Sequence, residues 1–358
     1  MKPISKKDLR PAKQLDEAYF RATCASLAAE EFEVKWKAAR KSSAYRFFRS
    51  FPHAWHLDLA DVRRDRIPGG GVFALGDPHP SNFGFVTFEG GPRFVFDDLD
   101  DSGPGWAAID ACRYFAALNF LDLPKGAMPH LTRLYADITG DRDYRRRFPL
   151  DLVPDVQSAS REELLEWTDG SSFRFDRPDL EPVADWRRAA IFAALDDEER
   201  ARTFTVEAVA RRIRKLGGSG GLSRFLVLGR EPDGQTGLLE LKELPVAATS
   251  WGRRLREPDD RAEHAMTALW GARPPHHRVV TVERVDYLLR SRLGRADVDV
   301  ASRSGSAQTR VLEAQVSILA SAHRGAYARE ELERVPEWLG RSAKLVARRY
   351  AKVHAHVA

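Results

Sequence analysis

The chain has 358 residues, a net charge of +5, and 43% apolar against 30% charged side chains. That length suffices for a sizeable core and favours two lobes sharing a cleft. Two cysteines, Cys24 and Cys112, exclude a disulfide framework and a cysteine metal site, and no run approaches the roughly 18 uninterrupted apolar residues of a membrane helix.

Residues 14–40 and 44–61 predict two helices, the second carrying Phe47, Phe48, Phe51 and Trp55. A turn at Gly69–Gly71 leads into a short apolar strand over 72–76, and strands follow over 83–88 and 93–97 around Glu89–Gly91. Helices are expected over 106–121 and 127–138. Residues 139–185 are rich in Arg, Asp and Pro. They hold helical pieces near 160–168 and a loop over 170–182, without a legible role. Helix is expected again over 185–215. The run "LGGSGGLSRFLVLG" then reads as a Gly-rich turn entering a strand, and "GLLELKEL" as a strand of period two. A helix over 258–271, opened by Asp259 and Asp260, precedes paired strands over 278–285 and 287–293. A Ser-rich, mobile loop is expected over 296–308, and terminal helices over 310–326 and 337–356. Helices, strands, helices, strands, helices is an α+β order and not alternating βαβ.

The block "GDPHPSNFGF" (76–85) crowds Asp77, His79 and Asn82 onto the end of an apolar strand, and "FDDLDD" brings Asp97, Asp98, Asp100 and Asp101 soon after. A carboxylate, a carboxamide and a second carboxylate cluster suit a hydroxyl-activating site that binds Mg²⁺. Asp77 can take the proton of a nucleophile, and Asn82, Asp98 and Asp100 are hard oxygen ligands. The D-x-x-x-x-N spacing is that of the protein-kinase catalytic loop, with Asp98-Leu99-Asp100 in the place of the later metal-binding motif. The competing reading is a Pro/Asn turn beside an acidic loop.

Downstream, Gly217, Gly218, Ser219, Gly220 and Gly221 can bring backbone N–H groups against phosphates, and Lys242 on the following strand can pair with them. Glu263 is the first candidate for the acidic partner of that lysine, with Glu257 and Glu243 competing. Neither a Walker loop nor a dinucleotide fingerprint fits the run. The two halves stand in inverse order to that of an ordinary kinase, which a circular permutation would explain.

The sequence resembles the bacterial family known as domain of unknown function 2252, whose members look like circularly permuted protein-kinase-like proteins. The resemblance rests on "YRFFRS", "LGDPHPSNFGF", "FDDLDDSGPGWAAIDACRYFAAL", "GGSGGLSRFLVL", "LLELKEL" and "LASAHRGA". It is scattered over most of the chain, and the first block also looks like the loop of aminoglycoside and choline kinase-like proteins. It implies a two-lobed fold, with residues 1–205 a helical lobe, 206–295 a β-rich nucleotide lobe and 296–358 helices returning to the first. It also implies ATP and Mg²⁺ as cofactors, Asp77 as base, Asn82 and Asp98 as metal ligands, Lys242 on the nucleotide phosphates, and Asp110 bracing the catalytic loop from a helix. Arg113 matches a basic residue one turn later. Departures are Ser50, Asp97, Leu99 and Leu75 at positions where the family or its relatives favour Gly, Asn, Phe and His.

The reading is therefore an ATP- and Mg-dependent phosphotransferase acting on a hydroxyl of a small-molecule acceptor. A nucleotide-binding sensor or scaffold and a metal-dependent phosphohydrolase are the alternatives. The basic clusters at 63–66, 145–147, 211–215 and 253–256 read as solvated helix faces, so nucleic acid is not an expected partner, nor is a membrane. The basic N-terminus lacks an apolar stretch, which argues against a signal peptide and for the cytoplasm. His79 is expected to bond the loop backbone, and His53 with His56 lack a third metal ligand. Two juxtapositions follow: Lys242 beside Asp98, and the helix over 310–326 beside the strand over 72–76.

Overall fold

Phe20 and Trp36 lie 5.4 Å apart in the computed structural model, which describes residues 2–141, 144, 148–196, 204–251 and 260–358. On one unbroken helix they would stand about 24 Å apart. The helix expected over 14–40 is accordingly split into Glu17–Thr23 and Ala29–Arg40, with Asp16 accepting from the Tyr19 N–H at 3.0 Å to cap the first. The helix expected over 44–61 breaks too, into Ala44–Ser50 and Pro52–Ala60. Pro52 lacks an N–H and turns Phe51 out of helical geometry. These segments share one core with helices Ala107–Leu118, Ala127–Gly140, Gly305–Ala322 and Val335–Val357. Phe47, Trp55, Tyr114, Tyr135, Trp338 and Tyr350 are buried in it.

The early strands are β1 (Gly71–Ala74), β2 (Phe83–Phe88), β3 (Gly91–Phe96) and β4 (Gly103–Trp106). Later come β5 (Leu180–Pro182), β6 (Thr205–Arg212), β7 (Arg224–Arg230) and β8 (Thr236–Glu243). The last are β9 (Arg278–Val282), β10 (Val285–Ser291) and β11 (Arg295–Asp297). β1 pairs with β4, β2 lies between β11 and β3, and a six-stranded antiparallel sheet runs β5-β6-β7-β8-β10-β9. The molecule is a mixed α+β structure.

Side-chain alternation divides the large sheet into two faces. One buries Val209, Phe225, Val227, Leu239, Leu241 and Leu289 with Ile191 and Leu195 of helix Asp185–Leu195. The other buries Leu226, Leu228 and Leu238 under Trp167 and Phe173. Along β7, β8 and β10 this second face turns from apolar to ionic, ending in Arg224, Glu240, Lys242 and Arg290, all buried. That ionic end meets the acidic block.

Three further expectations are corrected, and one strand is unanticipated. Residues 205–212 are strand and not helix. A bulge between Val206 and Ala208 puts Val206 and Val209 against the same core, a three-residue spacing that imitates a helix. In the stretch 139–185 the helix expected near 160–168 is present as Val156–Trp167 and covers the sheet, whereas the expected loop over 170–182 ends in β5, which extends the sheet's edge. The segment 296–308 is not simply a loop, since β11 pairs with β2 and the next helix starts at Gly305. β4 forms from Gly103-Pro104-Gly105-Trp106, which carries no strand signal. The basic clusters 145–147 and 253–256, with Glu257 and Asp259, lie outside the described residues.

Candidate functional site

The end of β1 is fixed by one carboxylate. Asp110, fully buried, accepts from the Leu75 and Gly76 N–H groups at 2.8 and 2.9 Å, and its Oδ2 lies 2.9 Å from His323 Nε2. The Ser102 hydroxyl donates to the Leu75 carbonyl at 3.0 Å. Gly76 has φ +84°, and a Cβ there would stand 1.8 Å from the Asp101 carbonyl oxygen, so only glycine fits this turn. The chain then delivers Asp77 to a buried position. Arg113, one helical turn after Asp110, donates from Nε to Asp77 Oδ1 at 2.6 Å. Its guanidinium is stacked 4.6 Å from the Phe48 ring and 5.7 Å from Trp55. Asn82 Nδ2 donates to the Asp77 carbonyl at 3.1 Å, closing the turn.

The acidic block and β8 meet here. Lys242, 144 residues after Asp98, donates from Nζ to Asp98 Oδ1 at 2.5 Å and also to Asp100. Burial opposes ionisation of Asp98, yet Lys242 and Arg290 hold its carboxyl well below the usual range. Asp100 moves the other way: burial and the Asp98 charge push it up to about 7. Asp101 accepts from the Ala248 N–H at 2.9 Å, while burial and Asp77 raise it to about 6. Asp97 turns away to pair with Arg295. Beneath Lys242, Glu240 accepts from Arg224 at 3.0 Å, Arg212 at 3.2 Å and Arg290 Nε at 2.8 Å. Although burial opposes it, this cage of guanidiniums keeps Glu240 ionised.

The Gly-rich segment reaches the same place. A Cβ on Gly218 would lie 3.5 Å from Asp77 Oδ2 and 3.6 Å from Asp101 Oδ2. Gly217 N–H donates to Ser50 Oγ at 3.3 Å, and Ser219 Oγ accepts from Arg224. Gly217 and Gly221 hold φ of +91° and +90°, a conformation open to glycine. Gly220 packs closely on the backbone of Lys215. The structure thus brings Asp77, Asn82, Asp98, Asp100, Lys242 and Gly218 into one neighbourhood.

Glu263 is not part of it. Its Oε2 pairs with Arg273 at 2.8 Å, because the helix Arg261–Ala265 turns Arg261 inward instead. Arg261 donates to the carbonyls of Asp100 at 2.6 Å and Ser102 at 3.0 Å. Glu243 accepts from the Ser223 N–H and is likewise not the partner of Lys242. His79 bonds a side chain rather than the loop backbone: Nε2 accepts from Arg49 Nε at 3.0 Å. His53 and His56 each bond a carbonyl, of Val246 at 2.8 Å and Gly76 at 2.7 Å.

Sequence reasoning misses Lys35, which is buried and donates from Nζ to the Gly218 carbonyl at 2.6 Å. Burial lowers its pKa. The signal lies in the helix Ala29–Arg40, where Lys35 falls among Phe32, Trp36 and Ala39, the buried stripe. Glu240 is legible in the same way, two residues before Lys242 and so on its face of the strand.

Among the described residues no three His, Cys, Asp or Glu side chains are grouped so as to hold a metal ion. The oxygen donors of Asn82, Asp98 and Asp100 suit Mg²⁺, which is ordinarily bound by one or two carboxylates together with substrate phosphates. No helix among the described residues is long and apolar enough to cross a membrane. Comparison with known protein families, with curated proteins and with solved structures finds no match.

Proposed function

We propose that the protein is an ATP-dependent phosphotransferase of protein-kinase-like, circularly permuted architecture that phosphorylates a hydroxyl of a small molecule. The observation that carries this reading is the Lys242–Asp98 contact of 2.5 Å together with Gly218 lying against Asp77. In support, the Gly-rich segment joins β6 to β7 and the lysine stands on β8, third in that run, as in protein kinases. The resemblance to the domain of unknown function 2252 family points the same way. In this reading Asn82, Asp98 and Asp100 hold Mg²⁺, which neutralises phosphate charge when bound.

The chain's residues then have distinct tasks. Lys242 and the backbone N–H groups of the Gly-rich segment bind the nucleotide phosphates, and Asp98, which accepts from the Lys242 ammonium, orients it. Asp77 orients the acceptor hydroxyl and takes its proton as the oxygen bonds the γ-phosphorus and the bond to the leaving diphosphate breaks. Catalysis is positioning and charge neutralisation. Arg113 on Asp77 Oδ1 favours the second reading, a nucleotide sensor with little turnover, since it occupies one of the two oxygens that an acceptor hydroxyl would use. Measuring ATP binding and ADP release separates them. Asp77→Asn should lower turnover by about 100-fold or more with nucleotide affinity retained, and Lys242→Ala should weaken nucleotide binding. Turnover untouched by either change overturns the reading, and binding without turnover in the native chain selects the sensor.

A further inference from the structure

A cavity of about 490 Å³ opens beside this site, walled by Arg46, Arg49, Arg212, Arg214, Lys215 and Gly217. Its position relative to Asp77 is given by two independent paths. Gly217 lines the cavity, and the next residue, Gly218, lies against Asp77 Oδ2. On the other wall Arg49 donates to His79 Nε2 at 3.0 Å and to Ser81 Oγ at 3.2 Å, and His79 Nε2 is 3.7 Å from Asp77 Oδ2.

Most of the positive charge of the walls has no ion-pair partner among the described residues. Asp179 is the carboxylate on the lining, and Arg177 already holds both of its oxygens at 3.0 and 3.1 Å. Arg212 is committed to Glu240. Among the described residues no carboxylate comes within ion-pair distance of Arg46, Arg49, Arg214 or Lys215. The neighbouring Arg224 guanidinium, with Arg212, pushes Arg214 down to about 10 against the opposing pull of Asp98 and Glu240, so cations outweigh anions around it. The volume falls within the range of small-molecule pockets, about 300–1,000 Å³, and exceeds what one ion fills. Planar guanidinium forks match phosphate oxygens two at a time.

We propose that this cavity binds the phosphate group of the acceptor, so that the substrate is a small hydroxyl compound already carrying a phosphate. The assignment to the acceptor rests on the phosphotransferase reading, whereas the anion site does not. Arg49 has a second task as a positioning residue, since it fixes the ring of His79 beside Asp77.

The test uses the full chain with inorganic phosphate and ATP as separate calorimetric probes. Arg46→Ala/Lys215→Ala removes two exposed side chains and should raise the Kd for phosphate by about tenfold or more while leaving ATP affinity unchanged. Lys242→Ala should do the reverse. With phosphorylated hydroxyl compounds as acceptors, the double variant should raise KM by a similar factor and preserve kcat. Phosphate binding that is lost with Lys242→Ala and unmoved by the double variant overturns the proposal, as does an absence of saturable phosphate binding. If the native chain binds phosphate through Arg46 and Lys215 but never ATP, the anion site stands. The acceptor assignment then falls together with the phosphotransferase reading.

Discussion

Single residues carry this site through exclusion as much as through chemistry. Gly76 is the sharpest case, because its φ of +84° disfavours any side chain and the space a Cβ would take belongs to the Asp101 carbonyl. A left-handed non-glycine residue costs about 1–2 kcal/mol before any clash is counted, and backbone facing the new atom cannot step aside cheaply. Gly76→Ala should therefore destabilise the fold by about 3 kcal/mol or more. Chemical denaturation gives the number, and a loss below about 1 kcal/mol would show that the turn relaxes freely. Lys35 teaches the complementary point. A cation on the buried stripe of a helix is costly without a partner, and the carbonyl of Gly218 is the partner it finds. The N-terminal helices therefore do more than complete a core, since one of them holds the Gly-rich segment down onto Asp77.

At the scale of elements, legibility follows the match between local pattern and final contacts. β8 is readable because Leu239 and Leu241 face one core while Glu240 and Lys242 face the ionic end. β6 is unreadable because its bulge breaks the period, and β4 because its pairing with β1 is decided by tertiary packing and not by its Gly-Pro-Gly composition. The catalytic-type block shows in the sequence because its turn chemistry is local. Its basic surroundings do not, since Arg46, Arg49 and Arg214 converge only after folding. Helix Pro52–Ala60 is tied to β1 through His56, whose Nε2 lies 2.7 Å from the Gly76 carbonyl and so carries the proton there. Burial lowers this imidazole to about 4, the Gly76 carbonyl opposing and Arg113 assisting. A histidine with a depressed folded pKa favours the native state above the unfolded value near 6.5 and withdraws that support as the pH falls toward 4. The integrated effect is about 3 kcal/mol. His56→Gln retains an N–H donor without titrating, so denaturation midpoints between pH 7 and 4.5 should fall less steeply for the variant. Parallel slopes would show that His56 is protonated in the native state.

Across the whole molecule, the ends of the sequence close on its early part. Helix Gly305–Ala322 ends at His323, which lies 2.9 Å from Asp110 and 2.7 Å from the Tyr135 hydroxyl. Gln315 of the same helix donates to the Pro80 carbonyl at 2.9 Å. The juxtaposition expected between this helix and the strand before Asp77 is present, since the helix packs on β1 directly and is joined to the end of that strand through Asp110. Such a closure makes the C-terminal helices part of the catalytic-type loop's support rather than an appendage. It should appear as energetic coupling. Asp110→Asn keeps an acceptor oxygen for one of the Leu75 and Gly76 N–H groups, which bond separate carboxylate oxygens, and weakens the link to His323, while His323→Gln removes the ring. If the two act through one buried bond, the double variant should be less destabilised than the sum of the singles by about 1–3 kcal/mol. Additive losses would mean that Asp110 braces β1 without the C-terminal helix. The stability of Asp77's position would then depend on the helix Ala107–Leu118 alone.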